Sequence, residues 1–261
     1  MAFGVSSSCL YPMVTEDALR TLGAMGVKTC EVFLNAPSET TPAFAKQLRA
    51  IADFYGMRIV SAHPFSSFAE GYMLFGEYER RFTDMLDCYR RHFETAALLG
   101  AKISVIHGAR LPLRIPEELY IERFGALVEA AAPFGVIAAQ ENVNRHISES
   151  PAFLQRMRAA LGADFHLVFD IKQAVRAGYD PLRFYRDFAA DTLHLHVSDH
   201  TAVRDCVAPG TGDFDFPALL AATQAAGYQG DWIIELYRGG FDTPAALRQA
   251  LDYLESLSAN G

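Results

Sequence analysis

Three carboxylates and one imidazole recur at the same point of a repeating pattern. Glu141, Asp170, His196 and Glu235 each stand at or near the end of a short apolar run, over 135–141, 165–170, 192–197 and 230–235. For any one of them, a polar side chain where a strand meets water is an equally good account. Four on consecutive runs say more. Three carboxylates crowded together raise one another's pKa values unless a cation lies among them, so the set reads as a metal site. Three oxygen donors and one nitrogen donor, with no thiolate, suit one hard or borderline divalent ion with positions open to substrate oxygens. Mn²⁺ comes first, with Mg²⁺, Co²⁺ or Zn²⁺ as the others.

Two more histidines close runs of the same kind, His63 in Ser61-Ala62-His63-Pro64 and His107 in Val105-Ile106-His107-Gly108. Each is a candidate second metal ligand or substrate hydrogen-bonder, against the plainer reading of a satisfied interior ring. His194 shares the inward face of His196 one layer deeper and reads as a supporting residue. His92, His146 and His166 read as structural, and His200 stays open between the two roles. Lys172, Arg204 and Arg238 are candidate anchors for a substrate carboxylate or phosphate, with Arg204 and Arg238 placed ahead of Lys172.

The elements that must carry these residues alternate along the whole chain. Strands are expected at 2–8, 28–34, 57–63, 102–107, 135–141, 165–170, 192–197 and 230–235. Helices are expected at 15–25, 42–55, 77–99, 116–132, 150–160, 181–189, 216–226 and 243–257, six of them opened by a proline (Pro42, Pro116, Pro151, Pro181, Pro217, Pro244). Glycine stands at the helix exits, as in Leu99-Gly100-Ala101. Eight βα units in 261 residues come to about 33 each, the module of a single closed (β/α)8 barrel spanning 1–261 with no linker or composition break. In that architecture the C-terminal strand ends converge on one mouth, where these residues fall. The longest unusual connection, 64–76, carries several aromatics. It is read either as a flap over the substrate or as a segment packed on its own barrel or a partner subunit.

Composition narrows the partners. The net charge of −8, from 23 Lys+Arg against 31 Asp+Glu, repels polyanions, and no basic cluster offsets it, so nucleic acid is disfavoured. No apolar run approaches the ~18 residues of a membrane span. Cys9, Cys30, Cys88 and Cys206 lack any paired spacing, and no signal segment opens the chain, so a cytoplasmic setting is expected. A homo-oligomer is allowed by the sequence and not indicated by it. Pro209-Gly210-Thr211-Gly212 hints at phosphate binding, but without a following lysine it reads as a turn.

Glu141-Asn142-Val143-Asn144, Phe169-Asp170-Ile171-Lys172-Gln173, His194-Leu195-His196-Val197-Ser198-Asp199, Pro209-Gly210-Thr211-Gly212-Asp213-Phe214-Asp215 and Ile234-Glu235 occur in the order seen in a known superfamily. The chain resembles the xylose-isomerase-like barrels, among their sugar isomerases and epimerases. The likeness implies that Glu141, Asp170, His196 and Glu235 bind one catalytic divalent metal. It further implies that Glu141 and Glu235 act as base and acid on a sugar, keto-sugar or related polyol, through a cis-enediolate. Substrate contacts fall to His63, His107, Gln173, Arg204 and Arg238.

The chain departs from the pattern at three points. The family's Asp-x-x-His has Gln173 in fourth place, an amide that hydrogen-bonds but carries no proton at neutral pH. A second substrate-facing Glu is replaced by Ile147, and the arginine after strand seven is only approximated by Arg204. Other readings are therefore kept. One is a dehydratase of the same barrel, of keto-inositol or dehydroshikimate type, and another a non-catalytic sugar-binding barrel. A third is a phosphodiesterase like endonuclease IV, which His63, His107 and Glu141 resemble at three metal positions; its remaining ligands are missing here.

Overall fold

A computed structural model describes residues 1–259. Eight parallel strands, β1 (Phe3–Ser6), β2 (Thr29–Phe33), β3 (Arg58–His63), β4 (Ile103–Ile106), β5 (Ile137–Glu141), β6 (Leu167–Asp170), β7 (Thr192–Val197) and β8 (Trp232–Ile234), pair in sequence order. β8 returns to β1 through Phe3 against Trp232 and Val5 against Ile234, closing the barrel. The expected strands are all present, most trimmed at their ends where turns begin; β7 coincides with its expected range. β1 and β8 are the most shortened, by three residues each. Ser6 Oγ accepts the Ser8 N–H, and the chain turns into a 3-10 segment at Ser7–Leu10.

The helices are α1 (Thr15–Ala24), α2 (Pro42–Tyr55), α3 (Glu70–Met73), α4 (Glu79–Leu99), α5 (Glu117–Ala131), α6 (Pro151–Leu161), α7 (Ile171–Arg176), α8 (Pro181–Phe188), α9 (Phe216–Ala225) and α10 (Pro244–Ala259). Their apolar faces cover the outside of the barrel, where Trp232, Phe169, Phe216 and Tyr185 are fully buried. Two of the ten go beyond the expected set, α3 and α7. α7 forms because Asp170 caps it: its side chain accepts the Gln173 N–H at 3.0 Å, so the Asp-x-x-Gln spacing starts a helix at the strand's last residue. No helix among the described residues is long and apolar enough to cross a membrane.

Side chains two apart on a strand share a face, and here that period separates two layers of the barrel interior. Val105, Ala139 and Val168 form a small dry cluster on one side. At similar depth on the other side, Ser6, Glu31, Ser61 and His194 form a polar cluster that is wholly buried. One step toward the mouth come Ser8, Phe33, His63, His107, Glu141, Asp170, His196 and Glu235.

Segment 64–76 is anchored rather than loose. Leu74 and Phe75 are buried, and Arg123 donates to the carbonyls of Leu74 and Gly76 at 2.9 and 2.5 Å. Glu70 is fully buried and accepts from the Tyr89 hydroxyl and the Gly108 N–H, tying α3 to the end of β4. Phe68 and Tyr72 point outward, 85% and 56% exposed. Of the two readings of this segment, packing on its own barrel describes it.

Burial pushes the Glu70 carboxyl from 4.5 up to about 7. The folded state then holds a proton that the unfolded chain releases. Its contribution to stability is fully present below about pH 4.5 and is lost as pH rises through about 7. Denaturant melts at a series of pH values are expected to show wild type losing stability across that window relative to Glu70→Gln. Parallel pH profiles for the two proteins would contradict it.

Candidate active site

The mouth encloses a cavity of about 340 Å³ lined by Ser8, Tyr11, Phe33, Asn35, His63, His107, Glu141, Lys172, Gln173, Glu235, Leu236, Tyr237 and Arg238. Single ligand atoms of Glu141, Asp170, His196 and Glu235 lie within 4.8 Å of one another. His196 is the centre of the group. Its Nδ1 stands 3.3 Å from Glu141 Oε1, 3.4 Å from Glu235 Oε2 and 3.7 Å from Asp170 Oδ2. Its Nε2 faces the other way, 3.0 Å from Glu31 Oε2. Carboxylates lie against both ring nitrogens. Although burial would lower the ring's pKa, Glu31, Glu235 and Glu141 hold it well above its ordinary value, so both nitrogens carry a hydrogen. Nδ1, which faces three carboxylates, is the one that would give its hydrogen up to a cation.

Glu31 is the functional residue that sequence reasoning missed. It is fully buried and also accepts from Ser6 Oγ at 2.9 Å and Ser61 Oγ at 2.8 Å, with His194 Nε2 3.4 Å away. Burial would raise its carboxyl, but the His196 and His194 rings hold it well below the usual range. The available signal was a lone acid inside the apolar run Thr29-Cys30-Glu31-Val32-Phe33. The pairing of β2 with β3 shifts register at Cys30/Glu31, setting Glu31 opposite Ser61.

Glu141 turns its two oxygens to different neighbours. Oε1 faces His196; Oε2 is buried and pairs with the His107 ring, 2.8 Å from its Nε2. Burial alone would raise this carboxyl, yet the His107 and His196 rings hold it well below its ordinary value. His63, His107 and Glu141 form a second group of close ligand atoms. Burial and the neighbouring His107 lower the His63 pKa to about 4, so His63 is neutral and accepts from His107, Nε2 to Nε2, at 2.8 Å.

Lys172 is 2% exposed, and its ammonium contacts both Asp170 and Glu235. Burial pushes the Asp170 carboxyl up to about 7 against the pull of that ammonium. Gln173 Oε1 accepts the Asn144 N–H at 3.1 Å, which turns the amide so that its NH₂ is available to the cavity it lines. Arg238 lines the cavity while donating to the Phe241 carbonyl at 3.0 Å.

Arg204 is placed elsewhere. It is exposed, donates to the Gly239 carbonyl at 2.5 Å and is absent from the cavity wall, so the order that put it ahead of Lys172 is reversed. Ile147 is buried in the core, and nothing at that position meets the cavity. The Gly210–Gly212 turn is filled by the chain's own anion: Asp199 accepts from the N–H groups of Gly210, Gly212 and Phe214 at 2.9–3.0 Å.

The donor set fits a divalent cation. Three carboxylate oxygens and a ring nitrogen converge, and the ring is oriented from behind by Glu31.

Among known proteins, the chain is 25% identical over 249 residues to an uncharacterized protein of Methanocaldococcus jannaschii, covering 90% of this chain and 83% of that one. It is 25% identical over 227 residues to the rhizopine catabolism protein MocC of Rhizobium meliloti, covering 74% and 67%. Among solved structures, 3-keto-D-glucoside 4-epimerase YcjR from E. coli matches with a TM-score of 0.80 at 19% identity, over 98% of this chain and 99% of that one. A D-tagatose 3-epimerase-like protein matches with a TM-score of 0.82 at 21% identity, over 100% and 98%. At such identities the likeness is one of fold. The family described as xylose isomerase-like TIM barrel matches residues 17–257, taking in seven of the eight strands and every helix but the start of α1 and the end of α10. The chain belongs to the xylose isomerase-like TIM barrel family.

Proposed function

We propose that the protein is a divalent-metal-dependent isomerase or epimerase of a small sugar, keto-sugar or related polyol, with Mn²⁺ first among the ions. Sugar epimerases among its structural neighbours support the class. The observation that carries the reading is the ring of metal-type ligands, Glu141, Asp170, His196 and Glu235, set on a cavity of about 340 Å³. Four unpaired thiols are in keeping with a cytoplasmic setting.

A divalent ion held by Glu141, Asp170, His196 Nδ1 and Glu235 supplies Lewis acidity toward a carbonyl and its neighbouring hydroxyl. Glu141 Oε2 takes the proton from the carbon beside that carbonyl. Glu235, 12% exposed at its side chain and facing the same cavity, is ionised beside Lys172 and passes a proton drawn from solvent to the opposite face or to the neighbouring carbon. The first outcome is epimerisation and the second aldose/ketose isomerisation. Gln173, His63 and His107 hydrogen-bond substrate hydroxyls, and Phe33, Leu236 and Tyr237 form the apolar wall that limits water.

The test is a panel of ketoses and keto-sugars incubated with Mn²⁺-loaded protein in D₂O and followed by NMR. Deuterium is expected at the carbon beside the carbonyl of at least one substrate, with the exchange lost on chelation. Exchange accompanied by an ultraviolet-absorbing enone would place the protein with the dehydratases instead. No exchange across the panel would overturn the reading.

A further inference from the structure

Lys172 departs from the ligand ring in one respect: it brings a positive charge to a place where the other side chains bring negative ones. Its ammonium rests on Asp170 Oδ2 and Glu235 Oε2. These are the same two oxygens that face His196 Nδ1, at 3.7 and 3.4 Å. A divalent ion using Asp170, His196 and Glu235 would therefore need donor atoms that the ammonium already holds. Asp170 cannot easily offer its other oxygen, because Oδ1 accepts the Gln173 N–H that starts α7.

Two cations on one pair of oxygens in a buried site repel each other with little screening, and the repulsion favours moving the ammonium away once a divalent ion is bound. The lysine has four methylenes and a place to go: its side chain lines the cavity, and the Tyr237 ring lies 5.6 Å from Nζ.

We propose that Lys172 is the resident cation of this cluster, holding Asp170 and Glu235 until a divalent ion enters and then withdrawing its ammonium into the cavity. Metal binding is then an exchange of cations. The inference rests on the metal reading given above and adds a property of its own, since lysine lowers the affinity of the site while stabilising the metal-free protein. Three carboxylates without it would face one another with only histidine between them.

The test is calorimetric titration of chelator-treated protein with Mn²⁺ for wild type, Lys172→Met, which keeps the stem and removes the charge, and Lys172→Arg, which keeps the charge. Lys172→Met is expected to bind Mn²⁺ about tenfold more tightly than wild type, the scale on which one neighbouring charge shifts a buried group. Lys172→Arg is expected to bind no more tightly than wild type. In thermal melts, Lys172→Met is expected to melt below wild type in chelator and to gain more on adding Mn²⁺. A Lys172→Met protein that folds only with Mn²⁺ would be the same result in its extreme form. Equal affinities in wild type and Lys172→Met, or weaker binding in the variant, would overturn the exchange and leave the metal site standing. Absence of Mn²⁺ binding in all three would overturn both.

Discussion

Glu141→Gln is expected to reduce deuterium incorporation beside the substrate carbonyl by about a thousandfold, within the range a positioned general base contributes. The amide keeps the size of the carboxylate and one acceptor oxygen, so the barrel interior is not emptied. It loses the charge, and with it the ability to take a proton from carbon. Glu141 is also a candidate metal ligand through Oε1, 3.3 Å from His196 Nδ1, so the variant tests two roles at once. They separate by titrating Mn²⁺. If saturating metal restores exchange to near the wild-type rate, Glu141 is a ligand only and the base lies elsewhere. If exchange stays low with the metal site filled, the loss is in the proton transfer. Glu235→Gln is the natural comparison. Its carboxylate is already held by Lys172, and burial, which would raise its pKa, is outweighed by that ammonium and by His196.

Glu31→Gln is expected to weaken Mn²⁺ binding by about 10–100-fold, the usual cost of losing the partner behind a metal-binding histidine. The residue touches no substrate. Its carboxylate accepts from His196 Nε2 at 3.0 Å and thereby fixes the ring with Nδ1 on the side of Glu141, Asp170 and Glu235. An amide can present its NH₂ to Nε2 instead, which favours the tautomer with hydrogen on Nδ1, the form that cannot bind a cation there. Nitrogen NMR of the His196 ring in Mg²⁺-loaded protein reads this directly, as a hydrogen on Nε2 in wild type that the variant fails to hold there. A merely structural role for Glu31 would lower the melting temperature, since Ser6 and Ser61 also lose an acceptor, but would leave the tautomer unchanged. Unchanged Mn²⁺ affinity would refute the positioning role.

The barrel was legible because its signals are local and repeated. Apolar runs ending in a polar residue, prolines at helix starts and glycines at helix exits are each decided by a few neighbouring residues. Convergence of Glu141, Asp170, His196 and Glu235 followed from strand order alone. What was illegible depends on contacts across the barrel. Glu31 lies 165 positions from His196 along the chain, and nothing near it announces its partner. Lys172 ranked last among the candidate substrate anchors, and only the short helix begun by Asp170 turns it back onto the carboxylates. Arg204 was favoured for its type and its loop, yet the fold of that loop sends it to the Gly239 carbonyl. In segment 64–76 the aromatic content suggested a cover, whereas one buried acid, Glu70, determines that the segment is fastened down.

Glu141 is 1% exposed at its side chain, and His107, 2.8 Å from its inner oxygen, is 24% exposed. A hydrogen taken by a base so placed is not sealed in with the substrate. It has an imidazole at hand that reaches bulk water, and hydrogens on that path trade with solvent far faster than carbon acids do. On the proposed reaction, an isotope carried in on the sugar is expected to be washed out in a single passage instead of being handed back, so that the product would bear the label of the water and not of the molecule from which it was made.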